Sequence, residues 1–87
     1  MSLDKETLKN KIIYRASYRG TKEMDLLMTS FVKYILNSQN ITDLIKLDEF
    51  VNMDDQKLLN IRNGKMLPNI NDEILLDIFK IFKSFKM

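Results

Sequence analysis

Cysteine and histidine are both absent from this 87-residue chain. Without cysteine, neither a disulfide nor a thiolate zinc site can staple the fold. Without histidine, the commonest general base and the commonest metal ligand are missing too. Hydrolytic triads, zinc hydrolysis and cysteine chemistry are thereby excluded. Paired carboxylates remain, but a chain this short buries only about 60% of its unfolded surface. So thin a core leaves little room to enclose a substrate, and a single domain spanning residues 1–87 is expected.

A dominant charge sign is lacking as well. Fourteen basic residues face 12 acidic ones, for a net charge of +2. Nucleic-acid binders concentrate basic residues on one face, because phosphate neutralisation drives their affinity. Here neither sign forms a long run. No apolar run is long enough to span a membrane. The N-terminal "MSLDKETLKN" mixes acidic with basic residues and has no apolar centre, unlike a signal or transit peptide.

Proline occurs once and glycine twice, and between these breakers helical periodicity is nearly continuous. Leu8, Ile12 and Ala16, with Ile13 beside them, form a stripe predicting a helix over Leu3 to Tyr18. Ser2 or Asp4 would cap it, and Gly20 would end it in the left-handed conformation. Thr21 is placed to cap a second helix, whose buried face Met24, Leu27, Met28, Phe31 and Ile35 extends through Leu36 to about Asn37. After the polar "NSQN", Thr42 is expected to cap a third helix burying Leu44, Leu47, Phe50 and Val51. Asp54 or Asp55 would start a short fourth helix with Leu58, Leu59 and Ile61, closed by Asn63 and Gly64. A loop containing Pro68 leads to a last helix capped by Asn71, with Ile74, Leu75, Ile78, Phe79, Phe82 and Phe85 on its apolar side. No stretch alternates with period two. The expected fold is all-α, a single small five-helix bundle.

Two features of this pattern invite a functional reading that a structural one answers better. The final helix carries phenylalanines on one side and lysines on the other, as membrane-surface helices do. Its charges cancel, however, and so small a bundle needs those aromatics inside. Adjacent Asp54 and Asp55 suggest a metal until their placement is considered: neighbouring carboxylates at a helix start diverge, and no third ligand lies at a supporting spacing. Capping is the better account.

The stretch "YRASYRGTKEMD", residues 14–25, is harder to dismiss. A helix-to-helix turn explains Gly20 but not the crowding of Arg15, Arg19, Lys22, Glu23 and Asp25. Lys11, Arg15, Arg19 and Lys22 would share one side if the helix ran on, a row suited to phosphates. Arg19 and Glu23 are spaced for a helical ion pair, and both side chains are expected to be mostly exposed. A nucleic-acid-binding or other protein-interaction module is one reading of this row. The helix after Gly20, however, carries few polar side chains long enough to read bases.

"RGTKEMD" resembles the R-G-x-x-E signature of the SdhE family of FAD assembly factors, whose mitochondrial members are called succinate dehydrogenase assembly factor 2. The likeness continues in order along nearly the whole chain. "LLMTSFVKYI" is similar to the apolar helix that follows the signature, and "FVNMDDQKLLNIRNG" to the Leu-rich helix, acidic break and short glycine-ended helix beyond it. Two departures from the family stand out. Ile61 stands where many members have tryptophan, and Met28, Thr29 and Ser30 where many have glycine or proline before the phenylalanine. The resemblance implies a protein that is not an enzyme and holds no cofactor of its own. It would bind the flavoprotein subunit of succinate dehydrogenase, as family members often do that of fumarate reductase, and promote covalent attachment of the client's FAD. It further implies that Arg19, Gly20 and Glu23 face the client, with Arg15, Tyr18 and Asp25 as neighbours. A free monomer in the bacterial cytoplasm is expected, with no nucleic acid or membrane as partner.

Overall fold

The computed structural model describes residues 4–67 and 71–86. Among these residues five α-helices follow one another: α1 (Lys5–Ser17), α2 (Lys22–Ile35), α3 (Ile41–Val51), α4 (Asp55–Arg62) and α5 (Glu73–Ser84). A 3-10 turn, Leu36–Ser38, tightens the exit from α2. Among the described residues there is no strand. The expected all-α bundle is what forms.

Each helix begins where a short polar side chain replaces the missing intrahelical acceptor for its first N–H groups. Asp4 accepts from the Glu6 amide, Thr21 from Met24, and Asp54 from both Gln56 and Lys57. Two starts differ from the sequence reading. Asn40, not Thr42, caps α3, accepting from the Asp43 amide at 2.9 Å. Asparagine is the stronger cap of the two. Asp72, not Asn71, caps α5, accepting from the Ile74 and Leu75 amides. The same carboxylate reaches Lys46 Nζ on α3 at 2.7 Å, a tertiary partner that Asn71 could not charge-pair.

The expected ends differ more. Gly64 has φ +78° and closes α4 as anticipated, whereas Gly20 does not adopt a left-handed backbone. α1 stops at Ser17 without a glycine, and the Ser17 hydroxyl folds back to donate to the Ile13 carbonyl one turn earlier. α2 stops at Ile35, where the Ser38 hydroxyl takes the Ile35 carbonyl. Of the sequence expectations, those on Ser2, Leu3 and Pro68 lie outside the described residues.

The core is a stack of rings that joins three helices. Phe31 of α2 lies 5.5 Å from Phe50 of α3, 5.0 Å from Phe82 of α5 and 5.6 Å from Phe85 just beyond it. Phe50 in turn meets Phe79 and Phe82, each at 5.1 Å. Tilted and edge-on arrangements such as these suit the ring quadrupoles. Phe31, Phe50, Phe79 and Phe82 are all buried, as the periodicity required. α1 covers the other side through Leu8, Ile12 and Ala16, packing on α2 and α3, while α4 contributes Leu58 and Ile61 against α5. The phenylalanines of α5 are therefore core, and no helix among the described residues is long and apolar enough to cross a membrane.

Candidate functional site

Residues 18–21 join α1 to α2 and lie across the break between α3 and α4. That break presents unsatisfied carbonyls at the C-terminal end of α3, the negative end of its dipole. Arg19 answers them. Its Nη1 donates to the Val51 carbonyl and its Nη2 to the Met53 carbonyl at 2.6 Å. The same guanidinium grips Asp55, with Nε and Nη2 at 2.7 and 2.6 Å from Oδ1. Only 9% of the Arg19 side chain is exposed.

This geometry corrects two expectations. Arg19 is not mostly exposed, and its ion-pair partner is Asp55 rather than Glu23, which stands exposed on the first turn of α2. The turn residues are no longer part of a helix, so the spacing that relates Arg19 to Glu23 on a helical surface does not apply. Capping accounts for Asp54 but not for Asp55. Once Asp54 occupies the N-cap of α4, the second aspartate is left with a free carboxylate. A doubled aspartate at a helix start is the one sequence signal that pointed to it.

The backbone of the turn is held as firmly as its arginine. The Arg19 amide donates to Asp25 Oδ1, and the Gly20 amide donates to Asp55 Oδ2 at 3.2 Å. Asp25 therefore supports the turn. A Cβ built on Gly20 would meet Asp55 Oδ2 at 3.5 Å, an ordinary contact. The outward side of the turn consists of Gly20, Lys22 and Glu23, all exposed. Beside Glu23 runs a groove of about 440 Å³ between α2 and α4, bordered by Thr21, Met24, Leu27, Gln56 and Leu59.

On the other flank, the basic row expected along α1 is not free. Lys11 Nζ lies 3.4 Å and Arg15 Nε 3.9 Å from Asp48 of α3, and Arg15 Nη1 donates to Asn52 Oδ1. With Arg19 turned inward as well, the four side chains do not form a phosphate-binding row. Tyr18 is 71% exposed and packs 4.5 Å from Tyr14, itself 64% exposed. Sequence reading missed Tyr14, although its i, i+4 spacing from Tyr18 was available.

Arg62 at the end of α4 repeats the device of Arg19. It donates to the Phe82 and Phe85 carbonyls at the C-terminus of α5 and lies 5.1 Å over the Phe82 ring. Among the described residues, no group of three acidic side chains is gathered to hold a metal ion.

The fold and this turn define a small helical protein whose distinctive feature is a tightly braced, outward-facing loop. Residues 10–84 match the Sdh5 family model, described as flavinator of succinate dehydrogenase. With so much of its length covered, the chain belongs to that family. The family is one of assembly factors for succinate dehydrogenase, not of catalysts. No curated protein and no solved structure matches the chain.

Proposed function

We propose that this protein binds the flavoprotein subunit of succinate dehydrogenase and promotes covalent attachment of FAD to it. The observation that carries the reading is the family match over residues 10–84, which contains the whole "RGTKEMD" turn. The protein itself holds no flavin and supplies no catalytic group. It acts as a monomer that stabilises the client in a state where the client's own residues and FAD react. Gly20, Glu23 and Tyr18 make the direct contacts with the client, and Arg15 borders them. Arg19 and Asp25 serve the same surface from behind. Glycine suits the contact position because it leaves no side chain where a partner's backbone comes close.

The test is reconstitution. Adding the protein to its host's succinate dehydrogenase apo-flavoprotein and FAD should speed the appearance of flavin fluorescence that survives a denaturing gel. The fumarate reductase flavoprotein, assayed in parallel, reports whether a second client is served. Glu23→Ala should slow the reaction, and Gly20→Arg should fold yet fail to bind. Equal covalent flavin with and without the protein, across a range of FAD and dicarboxylate concentrations, refutes the assembly role. Acceleration that is unaffected by Glu23→Ala and Gly20→Arg leaves the role standing and refutes the contact surface.

A further inference from the structure

We infer that Asp55, 35 residues beyond the glycine of the turn, is a positioning residue for client recognition, acting through the Arg19–Gly20 peptide. The inference rests on the proposed binding of a flavoprotein through this turn.

One carboxylate performs two tasks here. Oδ1 takes the Arg19 guanidinium, and Oδ2 takes the Gly20 amide. The first bond closes the α3–α4 break; an arginine–carboxylate pair anywhere along that break would do as much. The second bond is different, because it fixes the backbone of the turn itself. With the Arg19 amide held by Asp25 of α2, two successive amides are pinned by carboxylates from two different helices. Such a turn has one orientation, and its outward face carries Gly20 and Glu23 in a set relation.

The arrangement also constrains what Arg19 can do. Its fork is occupied by Asp55 and two backbone carbonyls, and its side chain is nearly inaccessible. A client carboxylate would have to displace Asp55 to reach it. The motif arginine thus braces the recognition surface from beneath, and Asp55 transmits that brace to the glycine. A Cβ at position 20 would lie 3.5 Å from the same carboxylate oxygen, an ordinary contact.

The discriminating variant is Asp55→Glu. It keeps the charge that Arg19 needs, while the extra methylene carries the second oxygen away from the Gly20 amide. Two measurements on the full-length protein decide the matter. In hydrogen exchange of the free, nitrogen-labelled protein, the Gly20 amide should be protected in wild type and exchange faster in Asp55→Glu. In titrations with purified succinate dehydrogenase flavoprotein, Asp55→Glu should bind up to about tenfold more weakly, the range expected for one hydrogen bond, at a melting temperature close to wild type. Adding Asp55→Glu to Glu23→Ala should weaken binding less than it does in wild type, since both act on one surface. Asp55→Asn, if it folds, should show the same binding loss together with a lower melting temperature.

Wild-type affinity in a folded Asp55→Glu variant, or equal Gly20 exchange in the two proteins, overturns the inference. So does a binding loss that only tracks the unfolded fraction. If wild type itself binds no flavoprotein, the proposed function fails first and takes the inference with it, an outcome distinct from either of these.

Discussion

The two glycines of this chain should respond unequally to alanine, and the structure sets the size of the difference. Gly64 follows the Asn63 cap of α4 at φ +78°, and its amide donates to the Ile61 carbonyl at 3.2 Å. A Cβ there would touch nothing within 4 Å. The cost of Gly64→Ala is therefore backbone strain alone, about 1–2 kcal/mol for a left-handed L-residue. In a domain of this length each kcal/mol moves the melting temperature by about 4–8 °C, so the expected drop is about 4–16 °C. Against a total stability of about 4–13 kcal/mol for a chain this size, the variant still folds. Gly20 has no left-handed backbone, and the nearest atom to an added Cβ is Asp55 Oδ2 at ordinary contact distance. Its amide bond to Asp55 survives in alanine. Gly20→Ala should therefore lie within about 0.5 kcal/mol of wild type, helped by the smaller conformational freedom of the unfolded chain. Thermal melts followed by circular dichroism, with urea titrations as a check, measure both. A fall for Gly20→Ala equal to or larger than that for Gly64→Ala would refute this assignment of conformational roles.

Three further outcomes are expected. Phe31→Ala removes the fully buried ring that meets three others and should cost about 3–5 kcal/mol, a large part of the total, seen as a collapse of the urea midpoint; a loss under about 1 kcal/mol would contradict the packing. The hydrogen bond from Lys46 holds the Asp72 carboxyl below its ordinary 3.8, helped by the Leu75 amide, and the hydrogen bond to Asp72 holds Lys46 above its ordinary 10.5. The Asp72 contribution is therefore complete above the unfolded carboxylate value and lost as pH falls through the lower folded one; that of Lys46 is complete below the unfolded ammonium value and lost as pH rises through the higher folded one. Melting temperature against pH should fall off at both limits, and Asp72→Asn should flatten both, since each limb depends on the pair. Arg62→Ala strips the Phe82 and Phe85 carbonyls of their donor and should cost about 1–3 kcal/mol, with faster amide exchange concentrated in the last turn of α5.

What the sequence determined by itself was everything whose cause lies within a few residues. Leu8, Ile12 and Ala16, or Phe31 and Ile35, declare a buried helix face because one turn brings them together. Asp4, Thr21 and Asp54 declare helix starts because a capping bond spans only two or three residues. The five helices, their buried phenylalanines and the location of the "RGTKEMD" turn were legible on those grounds. Cap choices one residue apart were less so: Asp72 prevailed over Asn71 with the support of Lys46, which packs from another helix. The inner organisation of the site was decided by tertiary structure alone. Arg19 meets Asp55 across 36 positions and Val51 across 32, and Arg62 reaches Phe82 across 20. No periodicity relates such pairs, and a backbone carbonyl that accepts an arginine carries no mark in the side-chain sequence. Only when α3 ends against the α1–α2 turn do its unsatisfied carbonyls and the spare carboxylate of Asp55 converge, and that convergence draws the arginine inward while Gly20 and Glu23 remain outside.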